Sequence, residues 1–214
     1  MRGTPVSDSA LLREPWPNLE RQRYGASFGI WTFLATEVLF FGGLFLSYAV
    51  YRSLHPEAFR VASHATDIAY GTTNTLILLT SSLIMTIAER AAVEGLRRLT
   101  IICLLVTATL GAAFLVVKGF EYSDDISKGL LPGPQFPLHP ASTQLFWGLY
   151  WIMTSIHAIH LTVGIGAVLV LTALIHRAAV PLQTPASEVI SLYWHLVDVI
   201  WVILYALLYL PGRP

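Results

Sequence analysis

The chain has 214 residues, of which 55% are hydrophobic and only 12% are charged. An ordinary soluble domain carries about 25% charged residues, so this chain lacks the polar surface that a water-soluble exterior needs. Its 13 basic and 13 acidic residues balance to a formal net charge of zero, which argues against nucleic-acid binding through clustered positive charge. A single cysteine, Cys103, excludes a disulfide within the chain. The composition predicts a membrane protein.

Five apolar stretches are long enough to cross the roughly 30 Å hydrocarbon core of a bilayer as helices. They lie at about 26–51, 68–88, 99–117, 146–175 and 188–210. Long continuous apolar runs differ from the short alternating strands of a membrane barrel. The sequence therefore predicts an all-α fold, an integral membrane bundle of five transmembrane helices.

The segments between the spans predict the domain organisation and the orientation. Residues 1–25 are expected to form a polar, irregular N-terminal segment, and residues 26–214 the five-helix transmembrane domain. The longest connection, about 118–143, contains four prolines and is predicted to be extended or turned. Eight basic residues lie on the N-terminal side of the spans and five on the other side. This bias predicts a cytoplasmic N-terminus and a C-terminus outside.

Glu37 is a carboxyl group near the middle of the first span, followed by the apolar run from Val38 to Phe41. A charge at this depth costs about 2.5–3.5 kcal/mol on insertion scales. Such surroundings favour the neutral form of the acid. Two interpretations remain open: a neutral acid that hydrogen-bonds between helices, or a proton relay or ligand site.

Histidines and an aspartate occupy the fourth and fifth spans. His157 and His160 are three residues apart, which places them on neighbouring positions of one helix face, and His195 and Asp198 repeat that spacing. They are interpreted as interhelical hydrogen-bonding groups that specify packing. The alternative is that the histidines are axial haem ligands, since bundles commonly build cofactor sites from facing helices.

Two further sets of polar residues are candidates for contacts with other helices or with lipid. Asn74 belongs to a hydroxyl-rich stretch of the second span, whose small polar side chains favour close helix packing or, as the alternative, line a polar pathway. Arg23, Arg97 and Arg98 lie at the predicted cytoplasmic face, where they could bind anionic lipid headgroups.

Taken together, five motifs resemble subunit III of the haem–copper oxidases, most closely the short five-helix bacterial form of cytochrome c oxidase subunit III. The motifs are RYGASFGIWTFLATEVLFFGGLF (23–45), NTLILLTSS (74–82), LGAAFLVVKGFEY (110–122), HAIHLTVG (157–164) and YWHLVDVIW (193–201). They occur in the family's order and cover nearly the whole chain. Lys118 is a departure, because the family commonly has an uncharged residue at this position.

The resemblance implies roles for the polar residues within the spans. Glu37 matches the membrane-buried glutamate of the family, and Glu121 matches the acid of its EY motif. The family's paired histidines correspond to His157 and His160. Its WHxVD motif near the C-terminus corresponds to the histidine and aspartate of the fifth span, His195 and Asp198.

The resemblance also implies an accessory subunit with no catalytic centre of its own. The expected complex is a proton-pumping terminal oxidase of the bacterial inner membrane that passes electrons from cytochrome c to O2. Haem and copper are expected in partner subunits, and bound phospholipid in this chain. The expected partners are subunit I in direct contact, subunit II and other oxidase or supercomplex subunits. Alternatives are a subunit of a quinol oxidase or nitric oxide reductase, or a haem-binding, quinone-reactive membrane protein.

Overall fold

A computed structural model describes residues 17–134, 136–182 and 184–211, without the side chains of Leu19, Arg23, Ala26 and Pro185. These residues form six helices. They are α1 (Leu19–Leu54), α2 (Pro56–His64), α3 (Ile68–Val93), α4 (Arg97–Ser127), α5 (Thr143–His176) and α6 (Pro185–Leu208). All of these helices except the nine-residue α2 are long and apolar enough to cross a membrane. The predicted all-α bundle of five transmembrane helices is confirmed.

Local signals in the sequence place the helix ends. Asn18 accepts a hydrogen bond from the Arg21 amide at 2.9 Å and so caps α1, and Asp67 accepts one from the Ala69 amide at 2.8 Å and caps α3. Two of the long helices end at glycines with positive φ, Gly95 at 76° and Gly129 at 73°. A residue without Cβ adopts this conformation at little cost, which stops the helix and turns the chain.

Helices α3 to α6 form the packed part of the bundle. The three residues between α3 and α4 return the chain directly, so these two helices run antiparallel and make the most extensive contact in the structure. Trp194 and Trp201 of α6 are fully buried. Trp194 donates to the Ser81 hydroxyl at 3.2 Å, and Trp201 to the Thr75 hydroxyl at 3.1 Å. The hydroxyl-rich stretch of α3 is thus the surface on which α6 packs.

Helix α1 lies at the edge of this bundle and contacts α5, α6 and the short helix α2. Near its carboxyl-terminal end the Tyr48 hydroxyl donates to the Leu207 carbonyl at 2.5 Å, and the Tyr48 ring packs 5.2 Å from Phe59 of α2. Most of the rest of α1 is uncovered: Phe28 and Leu39 are both 76% exposed. Since this helix is apolar on its exposed side, that side must meet lipid or another protein.

Three differences separate the structure from the sequence prediction. Helix α1 begins at Leu19, so residues 19–25 are helical where an irregular segment was predicted; residues 1–16 lie outside the described part of the chain. The short helix α2 was not predicted. Helix α4 continues to Ser127, ten residues past the predicted end of the third span.

We expect Gly111→Ala to destabilise the bundle, because a Cβ at this position of α4 would lie 2.8 Å from Cη2 of Trp194 and 3.0 Å from Cγ1 of Ile165. The indole is fully buried and hydrogen-bonded to Ser81, so it has no room to move aside. Overpacking of this kind costs about 1–3 kcal/mol. Thermal unfolding of the full chain in detergent measures it. Gly119→Ala on the same helix is the control, since nothing lies within 4 Å of its Cβ; an equal loss in both variants would contradict the expectation.

Candidate functional site

The carboxyl group of Glu37 meets an imidazole of the fourth span. Glu37 lies on α1 and His160 near the middle of α5, and 2.9 Å separates Oε2 of Glu37 from Nε2 of His160. The contact has the distance of an ion pair, although not the angle of a linear hydrogen bond. The two side chains are 15% and 22% exposed, so the pair lies at the edge of the bundle. Phe41 covers it, with its ring 5.3 Å from the imidazole.

The protein fixes the orientation of the His160 ring. Its Nδ1 lies 2.8 Å from the Ile156 carbonyl oxygen, and a carbonyl only accepts, so Nδ1 carries a hydrogen. Nε2 therefore faces Glu37 either as a bare acceptor beside a protonated acid, or as N–H beside a carboxylate. The Tyr193 hydroxyl donates to the His160 carbonyl at 2.9 Å and connects α6 to the same place.

His157 points away from this pair. It is fully buried between the rings of Phe114, at 5.6 Å, and Trp201, at 5.2 Å. Neither of its nitrogens has a hydrogen-bond partner among the described residues. The structure therefore brings Glu37 together with only one of the two paired histidines, and places the other in the aromatic centre of the bundle.

His195 and Asp198 do not pair with each other. Nδ1 of His195 lies 2.8 Å from the hydroxyl of Ser82 on α3. Asp198 is 4% exposed; the Ser82 side chain lies beside it, but within the described part of the chain neither carboxylate oxygen has a hydrogen bond of good geometry. Both residues thus face α3, and Ser82 lies between them.

Asn74 is fully buried on the face of α3 that packs in the bundle. Its amide atoms have no partner among the residues that the structure describes. The hydroxyls on either side of it do the bonding between helices: Thr75 accepts from Trp201, and Thr72 lies 2.8 Å from the Tyr205 hydroxyl. Thr72 and Thr75 of this stretch thus connect α3 to α6.

Glu121 belongs to a buried charged cluster that sequence reasoning missed. We call it the Lys118 cluster; its members are Lys118, Glu121, Asp125, Tyr150 and Tyr209. Nζ of Lys118 lies 3.0 Å from Oε2 of Glu121, and all five side chains are at most 3% exposed. The cluster joins α4 to α5 and to the end of α6. A spacing of three and four residues between its three charged members, all on α4, was the available signal.

The three arginines proposed to bind lipid have different surroundings. Nη2 of Arg97 donates to the last carbonyls of α5, Ile175 at 2.6 Å and His176 at 2.8 Å, so Arg97 caps that helix. Arg98 is exposed on the same side of the bundle. The side chain of Arg23 lies outside the described part of the structure.

The geometry bears on the haem alternative. Within the described residues, no three or more His, Cys, Asp and Glu side chains are grouped so that they could hold a metal ion. His160 contacts protein groups through both nitrogens, the Ile156 carbonyl and the Glu37 carboxyl. An axial haem ligand needs one free ring nitrogen directed at the iron, so His160 does not fit that role.

Comparison with known proteins agrees with the five motifs. The profile of the family described as Cytochrome c oxidase subunit III matches residues 19–213. Cytochrome c oxidase subunit 3 of Thermostichus vulcanus is 32% identical over 194 residues, covering 86% of this chain and 87% of the relative. Cytochrome bo(3) ubiquinol oxidase subunit 3 of Pseudomonas aeruginosa is 29% identical over 186 residues, with 86% of each chain covered.

The name of a third relative combines two oxidase subunits, I and III. Heme-copper oxidase subunit I+III of Aeropyrum pernix is 27% identical over 188 residues, which are 85% of this chain and 22% of the relative. The resemblance found in the sequence is thus confirmed at the level of the family, whose relatives are subunits of cytochrome c and quinol oxidases. The chain belongs to the cytochrome c oxidase subunit III family.

Proposed function

We propose that this chain is the accessory subunit III of a proton-pumping terminal oxidase, which reduces O2 to water with electrons from cytochrome c. The observation that carries the proposal is the family match over residues 19–213, nearly the entire chain. In this role the chain holds no catalytic centre, and haem and copper belong to the partner subunits. It supports the stability of subunit I and the uptake of protons into it.

Direct contact with subunit I is supported by a relative and by a surface. The Aeropyrum pernix protein, named subunit I+III, carries a match to this chain over only 22% of its length. The exposed apolar side of α1, with Phe28 and Leu39 at 76% exposure, is long enough for another membrane helix to pack along it. Subunit II and other oxidase or supercomplex subunits complete the proposed set of partners.

The Glu37–His160 pair is proposed to tie α1 to the rest of the subunit. The pair joins an ionisable side chain near the middle of α1 to one on α5. A polar contact at this depth orients a helix, although interhelical bonds in membranes average only about 0.6 kcal/mol. Loss of the pair would therefore alter the position of α1 more than the overall stability.

The proposed location is the bacterial inner membrane, with the N-terminus cytoplasmic and the C-terminus outside, because eight of the 13 basic residues lie on the N-terminal side of the spans. Phospholipid headgroups are proposed to bind at Arg98, which is exposed there, and at Arg23. Arg97 also lies on this side. A headgroup bound there would contact Arg97 while its guanidinium also donates to the carbonyls at the end of α5.

A second candidate function is the same role in a quinol oxidase, favoured by the match to the Pseudomonas aeruginosa relative. A nitric oxide reductase partner is a further alternative. The donor is decided by the neighbouring subunit, since a partner chain with two copper-binding cysteines indicates cytochrome c.

The proposal is tested by removing this chain from the purified oxidase and counting turnovers before inactivation. We expect the depleted enzyme to begin at nearly the normal rate, to take up protons more slowly, and to inactivate after fewer turnovers. Adding the full chain back should restore the turnover number. An unchanged turnover number in the depleted enzyme would overturn the supporting role.

A further inference from the structure

The Lys118 cluster is unusual because two carboxyl groups and one ammonium are enclosed together. Lys118 is 2% exposed, Glu121 1% and Asp125 3%. Buried charges are expensive unless they are paired and fully hydrogen-bonded. With both carboxyls ionised, the cluster would carry one uncompensated negative charge.

Six hydrogen-bond distances connect the five side chains. Nζ of Lys118 lies 3.0 Å from Oε2 of Glu121, 3.1 Å from the Tyr150 hydroxyl and 2.7 Å from the Tyr209 hydroxyl. The Tyr150 hydroxyl lies 2.9 Å from Oε1 of Glu121 and 2.8 Å from Oδ2 of Asp125. The Tyr209 hydroxyl lies 2.6 Å from Oε1 of Glu121.

The number of hydrogens falls one short of the number of contacts. The ammonium supplies three hydrogens and each phenol one, so five hydrogens serve six contacts when both carboxyls are ionised. In that state the single Tyr150 hydrogen would have to serve both Glu121 and Asp125. One added proton fills the sixth contact and also makes the cluster electrically neutral.

The geometry decides which carboxyl carries this proton. Both oxygens of Glu121 face donors: Lys118 reaches one, and the two phenols reach the other. A hydrogen on Glu121 would neutralise the carboxyl that contacts the Lys118 ammonium, and would leave the ionised charge on Asp125, which forms no hydrogen bond to Lys118 among the described residues. Asp125 has the Tyr150 oxygen as its partner in the cluster, and that oxygen has a free lone pair once the phenol donates to Glu121.

The nearby cation Lys128 does not compensate the negative charge of the cluster, because it is paired with Asp124. Lys128 follows the end of α4, and its Nζ lies 2.5 Å from Oδ2 of Asp124. That hydrogen bond raises the pKa of Lys128, so its charge is stabilised by Asp124. The charged and titratable groups around Asp125 are then Lys118, Glu121, Tyr122, Lys128, Tyr150 and Tyr209.

We infer that the Lys118 cluster is a proton-binding site, in which Asp125 is a neutral carboxylic acid at pH 7 and donates to the hydroxyl of Tyr150. Tyr150 in turn donates to Glu121, which forms the ion pair with Lys118. The proton completes the contacts between α4, α5 and the end of α6. The inference concerns this chain alone and is independent of the electron donor of the complex.

Infrared spectroscopy of the full chain in its purified complex tests the inference. The wild-type spectrum minus that of Asp125→Asn at pH 7 should contain one carbonyl band of a protonated carboxylic acid, which shifts in D2O. The asparagine amide can donate to Tyr150 as the acid does, so the melting temperature should stay unchanged. Asp124→Asn is the matched control and should remove carboxylate bands only.

Two results would overturn the inference. One is a difference spectrum for Asp125→Asn that contains carboxylate bands and no acid band, which would mean that Asp125 is ionised. The other is a melting temperature that changes clearly while Asp124→Asn has no effect, which would mean that asparagine does not reproduce the native donor.

Discussion

Replacing Lys118 with methionine will destabilise the folded chain by about 3–5 kcal/mol, the usual cost of removing one partner from a buried ion pair. Lys118 contributes three donated hydrogen bonds, and its ammonium lies within 5.5 Å of four aromatic ring centres. Without it, Glu121 remains enclosed with an uncompensated charge. Unfolding of the full chain in mixed detergent micelles, followed by tryptophan fluorescence, measures the free-energy difference.

Lys128→Met provides the control for this measurement. Lys128, which follows the end of α4, also forms an ion pair, with Asp124, but the two side chains are 47% and 38% exposed. Exposed pairs contribute about 0–1 kcal/mol, so this variant should unfold almost as the wild type does. Equal effects of the two substitutions would contradict the assignment of Lys118 to a buried cluster. The double variant Lys118→Met with Glu121→Gln should recover part of the loss, because it removes the stranded charge.

Replacing Glu37 with alanine will sharply reduce the number of turnovers that the oxidase completes before it inactivates. The substitution deletes the 2.9 Å contact to His160 and leaves the imidazole at the edge of the bundle without its carboxyl partner. Helix α1 should then associate more loosely with α5, and less of the chain should co-purify with subunit I. Turnover counting and the subunit ratio of the purified complex measure these effects.

Glu37→Gln separates a positioning role from an obligatory proton-carrying role. Its amide has nearly the same size and can keep a polar contact with Nε2 of His160, so assembly and initial turnover should be largely retained. The proton-to-electron ratio of this variant in vesicles is the deciding measurement. An immediate loss of pumping in a fully assembled complex would contradict the positioning role and indicate that Glu37 carries the protons.

The apolar spans were predictable because they depend on local composition, but their ends were not. The predicted third span stops near residue 117, since the ten residues that follow contain Lys118 and three acidic residues and look like a solvated connection. In the structure they form three more turns of α4, and the cluster encloses Lys118, Glu121 and Asp125 inside the bundle. Lys118, Glu121 and Asp125 are three and four residues apart, so a helical reading would have placed them on one face.

The start of α1 also differs from the start of its hydrophobic stretch. A hydrophobic window begins near Ala26, whereas the helix begins at Leu19 after the Asn18 cap. Capping residues are visible in the sequence, and a search for Asn or Asp followed by helix formers would have moved the start earlier.

Partners between helices could not be read from the sequence, because they depend on how the helices are rotated and shifted against one another. His157 and His160 looked equivalent by spacing, yet one faces Trp201 and the other faces Glu37. His195 and Asp198 have the same spacing, and both face Ser82 of α3, a partner that the spacing does not identify. Tyr209 lies 88 residues from Glu121 in the chain, so sequence spacing held no signal for their contact.

The most direct test of the proposed function is to purify the tagged full chain from its native membrane in mild detergent and to identify what accompanies it. Mass spectrometry and a visible spectrum, recorded before and after the subunits are separated, provide the measurement. We expect a haem-bearing subunit I in equal amount, with all of the haem remaining on that partner after separation. A chain that purifies without subunit I, or that retains haem itself, would contradict the proposed role as an accessory subunit.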